Sequence, residues 1–300
     1  MPVVDTGSLH FCNVQYCNCP GSEDSHLQLT MAGLFPAMTK APRMAFTFQV
    51  LDDFIRDNVE CGTSTMNYYS KLQRVTSSAF PHLVLNRYRE FLRVLRMWRL
   101  LKLLKWQGFH QQSPDPQAGG LVLFCPACPQ PGINVLDQDI YLSETFVMDS
   151  NFKAKHMLPK NAAEEVWLMD GNGFMVTSAP YKEYLTRTSK NLAHQLEENR
   201  YLSLPSGLQI QPSIGLWHVH GHQTKCFTRY APNFILGASW VDSEIMETLW
   251  SSLNIISPSA WGMATAHFQE LLDFQMIWMH IVGIETEVQG CQAVISNNPR

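Results

Sequence analysis

"SETFVMDSNFKAKHM", Ser143 to Met157, is the stretch on which the fold of the second half turns. A strand-like apolar run, Phe146-Val147-Met148, ends on a carboxylate, Asp149, and a polar turn with Lys153 and Lys155 follows. An acid at the lip of a strand is one place where metal-dependent nucleic-acid enzymes hold a divalent ion. The stretch therefore predicts a strand over 141–149 and makes the other acids of the chain matter.

Working outward, the Pro- and Gly-dense run "QQSPDPQAGG" (111–120) reads as a linker. Beyond it the pattern turns to β. "VWLMDGNGFMVTS" (166–178) predicts a hairpin about Asp170-Gly171-Asn172-Gly173. Residues 179–202 read as helix, "LQIQPSIGLWHVHGH" (208–222) as extended, and 241–253 and 264–283 as helices. On the other side of the linker, residues 1–40 read as strand fragments and loops. Met44–Val59 carries Phe48, Leu51, Phe54, Ile55 and Val59 at helical spacing, a second helix covers 64–78, and Pro81 breaks the chain. The expected class is α+β, a helical N-terminal half followed by an incomplete α/β fragment.

Composition bounds the function. The 300 residues are 45% apolar and 16% charged, enough for one large domain or two modest ones. Charges interrupt every long apolar stretch, so no membrane span is expected. The N-terminus has no basic stretch leading into an apolar one, so no secretion signal is expected. Eight cysteines at irregular spacing then favour reduced thiols or metal ligands over disulfides, in the cytoplasm or the nucleus. Net charge is −4 but uneven: Lys71–Lys105 holds nine Lys or Arg and one acid, whereas 231–300 holds seven acids and one cation. Such asymmetry fits either a nucleic-acid face beside a metal or partner face, or two halves that match each other electrostatically.

Within the basic segment, Arg93, Arg96, Arg99, Lys102 and Lys105 recur every third residue of a long helical run. A helix turns every 3.6 residues, so this stripe winds by about 60° per step and leaves no straight apolar face. It reads either as side chains that pass a different neighbour on each turn or as a phosphate-tracking helix.

Two groups have metal-ligand character. Cys12, Cys17 and Cys19 lie in "FCNVQYCNC", and Cys125 and Cys128 form a Cys-x-x-Cys turn in "LFCPACPQPG". Such a turn is half of a tetrahedral zinc site, with unliganded thiols and a redox pair as the alternatives. His218, His220, His222 and Cys226 form the second group; in an extended segment the alternating imidazoles share one face. Against metal stands the ordinary role of such histidines as hydrogen-bonding groups.

Two-metal phosphoryl transfer requires several convergent carboxylates. Asp149 supplies one on a strand, and Asp242, Glu244 and Glu247 stand at a helix start, the last two one turn apart. A middle acid on a separate inner strand is missing: Glu164, Glu165 and Asp170 flank or tip the hairpin, and Glu183, Glu197 and Glu198 fall on a helical pattern.

In order along most of the chain these motifs resemble the fungal KDZ (Kyakuja–Dileera–Zisupton) transposases and their CxC-type cysteine cluster. "YCNCPG…LQLTMAGLFPAMTKAPRMAFTFQVLDDF" is similar to the end of the cluster and the segment after it, and "YREFLRVLRMWRLLKLLKWQG" to the family's basic helix. "LFCPACPQPGIN" resembles "CPACP.PG.N", "FVMDSNFKAKH" resembles "MD.NF..K", and "DGNGFMVTSAPYKEYL" its "Y..yL" stretch. "LWHVHGHQTKC" matches a His–His–Cys pattern at His218, His222 and Cys226, and "WVDSEIMETLWSSLN" resembles "tDGE..E.lWa..N", with Ser243 in place of the glycine.

The resemblance implies an RNase H-like core using an acid triad for DNA strand transfer, in the nucleus. Asp149 takes its first place, with Glu244 or Glu247 its last. It implies structural zinc, DNA and a homologous chain as partners, and no membrane or small-molecule substrate. The domains expected from it are the end of the cysteine cluster at 1–40, a helical region at 41–118 and an RNase H-like fragment at 119–300. The family's long block after "Y..yL", which carries the second acid, is absent: "YKEYLTRTSKN" passes almost directly to "LPSGLQI". The upstream cysteine ligands and the basic tail after the last acid are missing too. Magnesium or manganese is expected only where a third acid completes the site, and the expected state is a degenerate, inactive transposase relative. A domesticated DNA- or protein-binding module and an active nuclease that borrows its missing acid are the competing expectations.

Overall fold

The computed structural model describes residues 1–110, 113–123, 157, 161, 165–188, 213–215, 220, 223–235, 250–251 and 253–296. The chain divides into two compact units, one built from 1–128, 152–178 and 253–300, the other from 129–151 and 179–252.

The first unit opens with four short strands: β1 (Pro2–Val4), β2 (Leu9–Phe11), β3 (Leu34–Pro36) and β4 (Ala45–Thr47), with a short helix α1 (Ser25–Met31) before β3. Their order is β2-β1-β4-β3. β1 runs parallel to β4 with Val3 opposite Ala45, and the two outer pairs are antiparallel. Helical spacing predicted a helix from Met44, but it begins at Phe48, because Ala45–Thr47 are taken up as an inner strand. Thr47 marks the change of state. Its hydroxyl accepts from the Val50 N–H at 3.2 Å, an N-cap, and donates to Asp5 at 2.7 Å.

Three helices cover the sheet: α2 (Phe48–Cys61), α3 (Thr65–Thr76, capped by Ser64) and α4 (Tyr88–Trp106). All three agree with the sequence reading, since each presents apolar residues at turn spacing to a common core. Phe91 of α4 sits at its centre, with ring centroids of Phe46, Phe54, Tyr68 and Tyr69 between 5.3 and 5.9 Å away. Offset and edge-on aromatic contacts of this kind add directional preference to area burial. The buried tyrosine hydroxyls are satisfied: Tyr68 donates to Asp53 at 2.6 Å and Tyr69 to the Leu85 carbonyl at 2.9 Å.

The chain returns to this unit at 165–177, then with α7 (Ser257–Ala260) and α8 (Thr265–Ser296), which follow α5 (Ser178–Thr188) and α6 (Thr224–Tyr230) in chain order. α8 outruns the predicted 264–283. Between Ala266 and Ile277 almost every position is buried, polar ones included, so it is an interior helix rather than an amphipathic one.

The predicted hairpin at 166–178 does not form. Gly171 makes the expected turn, with φ +78°, but residues 165–177 contain no strand. The turn pairs instead with the linker: Gly119 N–H donates to the Gly171 carbonyl at 2.9 Å and Leu121 N–H to Asn172 at 2.9 Å. The flanking backbone is held by carboxylates of α8, which removes its donors from any ladder.

In the second unit, α5 (Ser178–Thr188) and α6 (Thr224–Tyr230) are helices, and Ile214 N–H bonds to the Tyr230 carbonyl at 2.8 Å. The class is α+β, with a small mixed sheet; among the described residues its strands lie within 2–47. The strand expected at 141–149, and most of the extended segment 208–222, lie outside the described residues. No helix among the described residues is long and apolar enough to cross a membrane.

Candidate functional site

α4 carries five candidate DNA-contacting cations, and its winding stripe sends each to a different neighbour. Arg93 is exposed and donates to the Ala37 carbonyl at 2.5 Å. Arg96 forms a two-pronged pair with Glu270 of α8, both bonds 2.8 Å, and adds a bond to the Val166 carbonyl at 2.6 Å. Arg99, one turn on, is buried: it donates to Asn58 of α2 at 3.0 Å and lies over the rings of Phe54 and Phe274 at 5.7 and 6.0 Å. Desolvation by burial pulls its guanidinium down to about 10, against the opposing field of Glu270. Lys102 pairs with Asp52 at 2.9 Å, a carboxylate that also accepts from the Trp98 indole at 2.8 Å. Lys105 is exposed, with no carboxylate within 4.0 Å among the described residues. Four of the five cations thus hold α4 to its surroundings. Among the described residues, the exposed basic groups of this unit are Lys40, Arg43, Arg56, Lys71, Arg74, Arg89, Arg93 and Lys105.

Cys12, Cys17 and Cys19 sit on an exposed loop between β2 and α1. Gln28 of α1 fastens it: its carbonyl accepts from Cys17 N–H and its amide donates back to the Cys17 carbonyl, both at 2.9 Å. The backbone N–H of Cys19, and then its side chain, hold the Cys17 thiol below the usual thiol range. A thiol eased toward thiolate beside a second thiol has the chemistry of two zinc ligands. Among the described residues, however, no group of three or more His, Cys, Asp or Glu converges as a metal site. Two thiols alone do not make up the four ligands of a tetrahedral zinc site.

Cys226 lies in the first turn of α6, half-buried. His220 is exposed, its ring 5.5 Å from that of Phe227. Cys125, Cys128, Asp149, His218, His222, Glu244 and Glu247 lie outside the described residues.

Sequence reasoning did not single out the two buried acids of α8, Glu270 and Asp273. The signal was there: Glu270 and Asp273 interrupt an apolar run, "FQELLDFQMIW", where an acid needs a dedicated donor. Glu270 has Arg96 and the Leu168 N–H at 2.8 Å. Asp273 accepts from the Met175 N–H at 2.7 Å and from that of Phe174, with no cation paired to it among the described residues. Burial raises its carboxyl to about 6 in spite of those bonds. Glu165 in turn accepts from Ala266 N–H at the start of α8, at 2.6 Å. Asp170, one of the acids weighed for the missing ligand, gives both oxygens to Ser178 at 2.7 and 2.8 Å. His267 is buried with its Nε2 unpartnered; desolvation, then the fields of Arg99 and Arg96, push it down to about 3. These groups are committed to holding backbone and helices together, which is structural chemistry rather than metal chemistry.

Two families match the chain. The family described as a CxC2-like cysteine cluster associated with KDZ transposases matches residues 1–79, and the Kyakuja-Dileera-Zisupton transposase family matches residues 187–278. No curated protein and no solved structure matches it. The first match takes in the cysteine loop, the sheet, α2 and α3. The second takes in His218, His222, Cys226, Glu244 and Glu247 and begins beyond Asp149.

Proposed function

We propose that the chain, whose residues 1–79 and 187–278 match the CxC2-like cysteine cluster and the KDZ transposase family, is a KDZ-type transposase derivative that no longer cuts or joins DNA. The observation that carries this reading is a gap in the acids. Between Glu198 and Asp242 there is no Asp or Glu, so a strand there cannot bear the middle ligand of a triad. Asp149 and Glu244 or Glu247 are then remnants of an RNase H-like site within 119–300. Removing one of three ligands abolishes two-metal chemistry, because the ions both template the displacement and take up its charge. Magnesium or manganese has a role here only if another carboxylate completes the set.

Binding functions survive such a loss. The proposed partner is DNA, in the nucleus, with a homologous chain as the second partner, and with Cys17 and Cys19, Cys125 and Cys128, and His218, His222 and Cys226 as separate candidate groups for structural zinc. On α4, the bonding pattern divides the five cations. Arg93 and Lys105 are exposed and can meet phosphate, Arg93 by giving up its bond to the Ala37 carbonyl, whereas Arg96, Arg99 and Lys102 act through the fold. The test is duplex binding at low salt by the full chain and by an Arg93→Ala/Lys105→Ala double variant. Salt-dependent binding whose log–log slope shrinks by about 1.8 in the variant supports the DNA role. Absence of binding at low salt discards it and leaves a silent remnant.

A further inference from the structure

The connection between β3 and β4 carries two exposed cations, Lys40 and Arg43. Its base is closed by the Ala37 N–H, which donates to the Met44 carbonyl at 2.9 Å. Arg93 of α4 donates to the carbonyl of the same Ala37 at 2.5 Å, so the loop and the helix meet there. Further up, the Tyr16 hydroxyl donates to the Pro42 carbonyl at 3.5 Å. These bonds fix where the charges lie. Arg43 adjoins Met44 at the base, and Lys40 is three residues from Ala37, at most about 11 Å of chain. Arg89, also exposed, is one turn before Arg93 on the same side of α4, about 6 Å from it. We propose that the β3–β4 loop and the first turn of α4 form a single phosphate-gripping face for duplex DNA, with Lys40, Arg43 and Arg89 as its contacts and Arg93 fastening loop to helix, a face that rests on the DNA reading above and gives it an address.

Unbalanced charge singles this face out. Among the described residues, no carboxylate lies within 4.0 Å of Lys40, Arg43, Arg89 or Arg93. Glu90, the acid next to Arg89 in the chain, pairs with Arg87 at 3.4 Å. The exposed cations of α2 and α3 are placed otherwise. Arg56 pairs with Asp53 at 4.0 Å, and Lys71 with Asp53 and Asp57 at 4.0 and 3.6 Å. A phosphate arriving there meets cations already balanced by carboxylates. At the loop it meets cations that are not, and each such contact releases a counter-ion from the duplex. The loop also holds Ala41 at φ +48°, a left-handed conformation that a residue with a Cβ adopts only at a cost. Strain of that kind is kept where a ligand-facing segment needs one shape.

Duplex binding by the full chain across a salt series tests the face. The natural chain is compared with two variants that each lose two cations, Lys40→Ala/Arg43→Ala and Arg56→Ala/Lys71→Ala. All four side chains are exposed, so both variants keep the fold. The expected result is a log–log slope smaller by about 1.8 in the loop variant and unchanged in the other, since each lost phosphate contact takes about 0.9 from it. Equal losses in the two variants mean that net charge alone attracts the duplex, and they overturn the face. An unchanged slope in the loop variant, while the natural chain binds, also overturns it and leaves the DNA reading standing. No binding by the natural chain at low salt discards both. Anionic vesicles bound more tightly than duplex, through the same Lys40 and Arg43, reassign the face to a membrane surface and overturn the proposal.

Discussion

Arg93, Arg96 and Arg99 follow one another at three-residue steps, yet they occupy three different environments. Arg93 reaches a carbonyl from the solvent side, Arg96 saturates a buried carboxylate, and Arg99 is enclosed by an amide and two rings. Truncating Arg96 leaves Glu270 buried and uncompensated, which costs about 3 kcal/mol or more, whereas truncating Arg93 costs below about 1 kcal/mol. Chemical denaturation of Arg96→Ala and Arg93→Ala checks that ranking, and equal losses would contradict it. The buried pair His267 and Asp273 sets a second prediction, in which two groups act with opposite sign. His267 has its folded value near 3 against 6.5 unfolded, so it contributes stability that is present above 6.5 and lost as pH falls from there toward 3. Asp273 is raised to about 6 from 3.8, so acidification across that window stabilises the fold. At about pH 5 the first effect is near 2 kcal/mol and the second near 1.4 kcal/mol, and they largely offset. Thermal unfolding of His267→Gln should therefore show a Tm that rises from pH 7 to pH 5, and Asp273→Asn one that falls. A common slope in both variants would contradict the assignment.

At the scale of elements, α2, α3 and α4 were legible because each sends a run of apolar residues at turn spacing to a single core, and Phe91 and Phe54 are where those runs meet. α8 was legible as a helix but not as an interior one, since its buried Glu270, Asp273 and Gln275 look like a solvated face until their donors are known. The hairpin misreading has a similar cause. Alternating apolar residues around Asp-Gly-Asn-Gly describe a turn correctly, but the strands beside it depend on whether their N–H groups meet each other or a third party. Here carboxylates 102 and 98 residues away in sequence take them, and no local pattern encodes that. The cysteine loop was legible in composition, while its attachment through Gln28 was not. One junction was fixed by a residue that sequence reasoning did not single out. Gly62 ends α2 with φ +65°, and a Cβ there would lie 2.1 Å from the Ile255 carbonyl oxygen. Gly62→Ala should lose about 2–3 kcal/mol, from the left-handed conformation and the displaced segment together, and drop Tm by roughly 5–10 °C. An unchanged Tm would mean that the Ile255 segment does not pack against that helix end.

For the whole molecule, the two family matches bracket the chain without meeting, one at the sheet and its first helices and the other from residue 187 to within α8. The first compact unit also draws on both ends of the sequence, joined through the Arg96–Glu270 pair. That pair links the basic segment to the acidic one, the electrostatic match within a single fold that the charge asymmetry allowed. On α4 the proposed contact with DNA then falls to its exposed cations, among them Arg93 and Lys105. Catalysis is a separate matter, decided by carboxylates. The most direct measurement is incubation of the purified full chain with supercoiled and linear duplex in magnesium and in manganese, beside an Asp149→Ala variant. Two ligands without a third predict no nicking or joining by either protein. Metal-dependent cleavage by the natural chain that disappears in Asp149→Ala would contradict the account, since a complete site would then exist.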